Sequence, residues 1–180
     1  MNAIVERALE SLPLHDPALL ETAREDAATK ALHDALAAEI PALNAVEYRA
    51  PQADHPLDGK LRLAAWNAER LKFGAASAAL FAAEKPDVIL LSEADIGMAR
   101  SGNRHTVAEL AVALGMGYAY GVEFVELGLG DDREAEWHRG QRNAAGFHGN
   151  AILSRTPLND FALIRLDEGA RWFGDRPDRA

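Results

Sequence analysis

The sequence predicts an α/β protein in which strands and helices are layered. From residue 61 onward, short apolar segments alternate with segments of helical period, which is typical of layered α/β domains. Residues 88–91 are four consecutive large apolar residues, as in a buried strand with apolar side chains on both faces. Hydrophobic residues make up 48% of the 180-residue chain and charged residues 26%, which is the balance of a globular protein with a packed core.

Composition excludes several classes of function. There are 28 acidic and 19 basic side chains, giving a net charge of -9, so a broad basic surface for long nucleic acids is not expected. The chain has no cysteine, which excludes disulfides, thiolate metal sites and cysteine nucleophiles. No segment approaches the roughly 20 apolar residues of a membrane span, and the N-terminus lacks a signal-peptide pattern, so we predict a cytoplasmic protein without membrane contact.

Residues 1–60 are predicted to be a helical N-terminal extension and a linker. Asp16 followed by Pro17 is a helix start signal, and the apolar residues after it recur at helical spacing. This pattern predicts one long helix over residues 17–40. A shorter helix is predicted over residues 3–12, and the Pro- and Gly-containing segment 43–60 is predicted to be a linker.

Residues 61–180 are predicted to form the α/β domain. Thr106 and Glu109 have the spacing of a capping box for the second of its two helices. Residues 128–149 are predicted to be a long loop, and the last two strands a hairpin. The predicted helices are 73–85 and 106–115, and the predicted strands are 61–66, 87–92, 118–127, 151–155 and 161–166.

Asn67 and Glu93 follow the first two of these strands. Two strands joined through a helix are parallel, so their carboxyl ends meet at one edge of the sheet, where ligands bind. Glu93 lies just beyond the apolar run and needs a neutralising partner. A divalent cation such as Mg²⁺ can be held by one carboxylate together with water and phosphate oxygens. Asn67 could orient a metal-bound water or a phosphate oxygen. Spacing leaves open an alternative in which Asn67 caps the next segment and Glu93 pairs with an Arg.

Three segments, LRLAAWNAER, KPDVILLSEAD and GNAILSR, resemble in order and spacing the opening motifs of the endonuclease/exonuclease/phosphatase superfamily, the deoxyribonuclease I-like hydrolases. The resemblance covers residues 61 to about 166. It implies the N-terminal half of a four-layer αββα sandwich with a mixed sheet, in a phosphoesterase that uses Mg²⁺ or Mn²⁺. It further implies that Asn67 and Glu93 are catalytic residues and metal ligands, with Glu93 the principal ligand and Asn67 against both metal and phosphate, and that Asn150 borders the substrate.

Other residues have both a functional and a structural interpretation. His148, beside Asn150, could contact a phosphate group or could be solvated in a polar loop. Arg104, with Arg100 and His105 in the segment after Glu93, could bind phosphate or serve solubility. Trp137 could stack on a base or ring, or anchor its loop to the domain.

The sequence departs from the superfamily beyond residue 166. Members continue with a catalytic His, a Gly-Asp-x-Asn segment and a Ser-Asp-His segment. Residues 174–178, GDRPD, resemble the Gly-Asp-x-Asn segment but lack its Asn. We therefore expect this chain alone to be inactive, with a non-catalytic binding or assembly module as the alternative.

Half of a sandwich would leave an apolar sheet face open, which predicts a homodimer through that face. The substrate class stays open among nucleic acids, sugar phosphates, inositol phosphates and lipids.

Overall fold

The computed structural model describes residues 4–25, 29–57 and 59–166. The strands in these ranges are β1 (Ile4–Val5), β2 (Ala8–Leu9), β3 (Val46–Arg49), β4 (Leu63–Arg70), β5 (Val88–Ile96), β6 (Gly117–Val125), β7 (Phe147–Ser154) and β8 (Leu163–Ile164). The α-helices are α1 (Pro17–Glu25), α2 (Lys30–Ala38), α3 (Gly74–Glu84), α4 (Thr106–Leu114) and α5 (Asp132–Trp137), with 3₁₀ turns at Pro41–Asn44 and Ala99–Ser101. Six strands form a mixed sheet in the order β2, β3, β6, β7, β5, β4, which confirms the predicted α/β class.

The predicted β-α-β unit is present. Strands β4 and β5 are parallel neighbours, and α3 connects them. On its other side β5 pairs antiparallel with β7, which pairs antiparallel with β6. The carboxyl ends of β4 and β5 therefore lie beside the beginning of β7, so the polar residues that follow each apolar run come together.

Helices cover one face of this sheet. Ile89 and Leu91 of β5 are buried in one hydrophobic cluster with Phe81 of α3 and Leu110 of α4. Helices α1 and α2 contribute to the same cluster, so the N-terminal helices pack with the others.

The other face is open over β4, β5 and β7, and we call it the uncovered face. Leu90 points there and is 39% exposed, so the prediction of a strand buried on both faces is wrong on this side. The exposed large apolar side chains of the uncovered face are Leu63, Leu90 and Ile152. Within the described ranges, no helix is both long and apolar enough to cross a membrane.

The predicted helix over residues 3–12 is wrong. This segment forms β1, antiparallel to β8, and β2, parallel to β3. Its Ala, Glu and Leu content favours a helix locally, but pairing with distant strands overrides that weak preference.

The predicted single helix over residues 17–40 is also wrong. Its start is confirmed, because the Asp16 carboxylate accepts from the Ala18 N–H at 2.9 Å. A second helix begins after Thr29, which has extended backbone angles and accepts from the Leu32 N–H at 3.2 Å. A threonine side chain that accepts from a backbone N–H three residues on favours a helix start over a helix interior. Residues 26–28 lie outside the described ranges.

The predicted linker over residues 43–60 contains β3, which lies inside the sheet between β2 and β6. The Pro and Gly residues that suggested a linker all follow this short strand. The sheet thus takes strands from both sides of the division predicted at residue 60.

The region after residue 105 needs three corrections. Helix α4 is confirmed, but its N-cap is His105, whose Nδ1 accepts from the Ala108 N–H, and not a Thr106–Glu109 box. The predicted loop over residues 128–149 contains α5 and the start of β7. The predicted terminal hairpin is absent from the described residues, because β8 pairs with β1 and not with β7.

Candidate functional site

Asn67 and Glu93 meet at the carboxyl ends of β4 and β5. Asn67 lies opposite Ser92 in the parallel pairing, and its Nδ2 donates to Glu93 Oε1 at 2.7 Å. This geometry confirms that the two side chains converge at neighbouring strand ends.

A β-bulge aims Glu93 at this edge. The pairing of β5 with β7 shifts between Leu91 and Ala94, so that Ser92 and Glu93 both lie opposite Asn150. Glu93 has φ of 57°, in the left-handed region that non-glycine residues seldom adopt. Bulges redirect side chains and occur often beside active sites. The local fold is therefore built to direct this carboxylate.

Glu93 has the neutralising partner that its position requires. Arg70 Nη1 donates to Glu93 Oε2 at 3.3 Å. Asn67 Oδ1 accepts from the Glu69 N–H at 3.0 Å. Both parts of the structural alternative are thus present: Asn67 caps the segment that follows it, and Glu93 pairs with an arginine.

The same geometry fits a divalent cation held by one carboxylate. Glu93 is partly exposed, with 38% of its side chain accessible. An ionised carboxylate has about four acceptor positions, of which Asn67 and Arg70 use two. Mg²⁺ commonly binds to one or two carboxylates and otherwise to water and substrate phosphate. Among the described residues, no group of three or more Asp, Glu or His side chains could hold a metal. Asn67 offers its amide nitrogen to Glu93, so its role as a metal ligand stays a prediction.

Asn150 and Glu123 extend the polar edge across the sheet. Asn150 is exposed on β7, opposite the bulge that carries Glu93. Its Nδ2 donates to Glu123 Oε2 at 3.3 Å. Glu123 lies at a register shift of β6 and was missed in the sequence, although a carboxylate within an apolar strand was an available signal.

The glycine of the third motif has a packing role. A Cβ at Gly149 would lie 2.1 Å from the carbonyl oxygen of Gly121 on β6. Only a residue without a side chain allows this approach of β7 to β6. Gly149 therefore fixes the strand spacing beside Asn150.

His148 and Arg100 belong to a buried ionic cluster. Arg100 Nε and Nη2 donate to the two oxygens of Asp95 at 2.9 and 3.0 Å, and His148 Nδ1 lies 2.7 Å from Asp95 Oδ1. Burial would raise the pKa of Asp95, but the bonds from His148 and Arg100 and the guanidinium charge outweigh it and hold this pKa below its ordinary value. His148 is buried, so its interpretation as a solvated side chain is wrong, and its role in substrate binding stays a prediction.

Glu134 of α5 joins this cluster to the candidate site. Its side chain is 3% exposed, and it lies 3.3 Å from Arg100 Nη1, 2.6 Å from Lys72 Nζ and 3.2 Å from Arg70 Nε. Glu134 Oε2, which also faces Arg100, accepts from the Asp131 N–H and closes a capping box at the start of α5. Burial raises the pKa of Glu134. The opposing effects of Lys72, the Asp131 backbone and the two arginines are larger together, so the pKa lies below its ordinary value. Sequence reasoning missed Glu134 and Lys72, which lie in segments with no catalytic motif, and Arg70, which ends the first motif segment but was given no role there.

Arg104 and Trp137 have exposed positions. Arg104 Nη1 pairs with Glu109 Oε2 at 2.9 Å, and its Nε donates to the Ser101 carbonyl, so it is tied to the start of α4. Its role in substrate binding stays a prediction. Trp137 is 70% exposed at the end of α5, so its interpretation as a loop anchor is wrong.

The fold and these contacts define an α/β protein with a polar edge at the carboxyl ends of two parallel strands. Neither a known family model nor a curated protein matches the sequence. Among solved structures, the chain is similar to an endonuclease/exonuclease/phosphatase from Beutenbergia cavernae DSM 12333, with 23% identity and a TM-score of 0.41. The match covers 56% of this chain and 27% of that chain, so this chain spans little more than a quarter of the matched protein. Its description names the superfamily that the three motifs resemble.

Proposed function

We propose that this chain provides the cation-binding and phosphate-orienting part of a Mg²⁺-dependent hydrolase of phosphate esters. The observation that supports this best is the 2.7 Å contact of Asn67 and Glu93 at the ends of two parallel strands. Residues from all three motifs, Asn67, Glu93 and Asn150, lie at this edge of the sheet. Ligands of open α/β sheets bind at such an edge.

Glu93 is the proposed ligand of Mg²⁺, with Mn²⁺ as a substitute. A hard divalent cation bound there would neutralise charge on the phosphate oxygens during attack by water. Asn67 keeps the Glu93 carboxylate in one orientation through its amide nitrogen. Asn150 faces the same edge and is the proposed contact for the substrate.

The isolated chain should bind the cation weakly and hydrolyse phosphate esters slowly. A general base typically contributes a factor of about 10²–10⁴ in rate. Asn67 and Arg70 are the side chains that contact Glu93, and neither accepts a proton from water at neutral pH. The net charge of -9 disfavours long duplex nucleic acids as the substrate.

Calorimetric titration with Mg²⁺ tests the proposal. We expect weak binding to the unaltered chain that is lost in Glu93→Gln, because the amide is neutral. Glu109→Gln is the matched control, since it removes the same charge from a carboxylate that pairs with an exposed arginine elsewhere. Binding that survives Glu93→Gln, or that falls equally in both variants, would contradict the proposed site.

A non-catalytic binding or assembly module is the second candidate, and the uncovered face favours it. Exposed Leu63, Leu90 and Ile152 lie on adjacent strands, and contiguous apolar surface often marks a protein contact. Two copies of the chain would pair through this face. A chain that associates through the uncovered face and binds no Mg²⁺ at Glu93 would support the module over the hydrolase.

A further inference from the structure

An unusual turn carries Arg70 to Glu93. The three residues after Ala68, namely Glu69, Arg70 and Leu71, all have left-handed backbone angles, with φ of 44°, 67° and 54°. Each such residue costs about 1–2 kcal/mol when it is not glycine. The turn is closed by a bond from the Leu71 N–H to the Ala68 carbonyl, and the buried Leu71 side chain anchors it. The conformation is unfavourable locally and directs the Arg70 guanidinium toward Glu93 and Glu134.

The guanidinium of Arg70 is incompletely bonded in this position. Its Nη1 makes a long bond of 3.3 Å to Glu93, and its Nε lies 3.2 Å from Glu134 Oε1. Arg70 Nε and Glu134 Oε1 are buried, yet neither has a hydrogen bond of good geometry among the described residues. A guanidinium has five N–H donors, so most of the capacity of Arg70 stays unused.

The two acidic partners of Arg70 differ in how much they need it. Glu134 also has Lys72 at 2.6 Å and Arg100 at 3.3 Å, so it stays neutralised without Arg70. Glu93 has Arg70 as its cation within 4.0 Å in the described part of the chain. Arg70 is therefore dispensable to Glu134 and is the counter-ion of Glu93.

We propose that Arg70 is a displaceable counter-ion: it neutralises Glu93 in the metal-free protein, and it turns to the substrate phosphate when a divalent cation takes its place. This inference rests on the proposed function, because it requires the cation to bind at Glu93. Two cations on one carboxylate repel each other, so cation binding at Glu93 weakens the hold on Arg70. A phosphate group held at the same edge is the nearest new anion.

The chemistry of the guanidinium suits this second role. Its planar fork matches the oxygens of a phosphate group and bonds them in a bidentate way. Arg70 is 25% exposed, so part of it already faces solvent at this edge. Arg70 would thus be a substrate-binding residue in the loaded state and a competitor of the cation in the unloaded state.

Titration with metal alone tests the competition. Mg²⁺ binding is measured by calorimetry on the full 180-residue chain and on Arg70→Gln, Arg70→Lys and Lys72→Gln, with folding checked by circular dichroism. Arg70→Gln should bind Mg²⁺ about tenfold more tightly at low salt, and the gain should shrink as salt rises. Arg70→Lys should restore the weaker binding. Lys72→Gln removes the same charge from a residue that contacts Glu134 and not Glu93, and should have a much smaller effect.

Binding of inorganic phosphate in the presence of saturating Mg²⁺ tests the second role. Arg70→Gln should weaken phosphate binding by about tenfold or more while tightening the metal, and Lys72→Gln should do neither. If metal binding depends on Glu93 but Arg70→Gln matches Lys72→Gln in both titrations, this inference is overturned and the proposed function stands. If metal binding does not depend on Glu93, the proposed function fails and the inference falls with it.

Discussion

Replacing Asp95 by asparagine removes the charge of a fully buried carboxylate and keeps its shape. Asp95 receives two bonds from Arg100, at 2.9 and 3.0 Å, and both side chains are buried. Breaking a buried pair on one side costs about 3–5 kcal/mol, because it leaves the other charge without its partner. Arg100 keeps Glu134 at 3.3 Å, so we expect the lower end, about 3 kcal/mol. That is a large part of the roughly 5–15 kcal/mol by which domains are stable.

Urea unfolding followed by circular dichroism measures this loss. The control is Glu109→Gln, which breaks the exposed pair with Arg104 and should cost about 0–1 kcal/mol. Because the folded-state pKa of Asp95 lies below its unfolded value, its stabilisation is complete above the unfolded value and is lost as pH falls through the folded one. The difference between Asp95→Asn and the unaltered protein should therefore shrink below about pH 4. Equal costs for the two variants at pH 7 would refute the reasoning.

Three further predictions concern packing and association. Gly149→Ala should destabilise the protein by more than about 2 kcal/mol in urea unfolding, because the new Cβ would lie 2.1 Å from the Gly121 carbonyl; an unchanged midpoint would contradict this packing. Trp137→Ala should change the free energy of unfolding by less than about 0.5 kcal/mol, since the indole is 70% exposed, and a larger loss would mean that it anchors α5. Light scattering should detect association of the chain at micromolar concentration, and charged substitutions at Leu90 and Ile152 should abolish it; a monomeric unaltered chain would exclude pairing through the uncovered face.

The sequence predicted the central part of the sheet well. Strands β4 to β7 and helices α3 and α4 have strong local patterns, and the run 88–91 leaves little doubt about a strand. Since a helix joins β4 to β5, their parallel pairing follows from chain connectivity alone. The convergence of Asn67 and Glu93 could be predicted for the same reason, since it needs only two strand ends.

The N-terminal strands could not be predicted from local pattern. Strands β1 and β2 have two residues each, too few for an alternation to be visible, and they exist because β8 and β3 lie beside them. Strand β3 has only four residues, and the Pro and Gly residues that follow it led to the prediction of a linker for the whole segment. Whether such short strands form depends on pairing with segments that are distant in the sequence, and the local pattern of a single sequence does not show which segments pair.

The partners of Glu93 depend on backbone geometry that side-chain types do not indicate. Glu, Arg and Leu are common in helices, and nothing in their order marks three consecutive left-handed residues. The bulge at Glu93 is equally invisible, since neither Ser92 nor Glu93 is a glycine, the residue that often marks a bulge within a strand. The role of Glu134 follows from the capping box that begins α5, within a segment whose charges suggested only a solvated loop.

The left-handed turn at residues 69–71 also bears on how the sequence can change. Glycine adopts such angles without steric cost, so glycine at residue 69 or 71 would relieve local strain. At residue 70 the same exchange would remove the arginine, and at residue 71 it would remove a buried leucine. Residue 69 is exposed and has no ion pair among the described contacts, so it is the position where glycine would stabilise the fold with the least other loss. A glycine there would also let the backbone around Arg70 sample more conformations. Higher thermal stability and a fixed orientation of the guanidinium would therefore favour different residues at position 69.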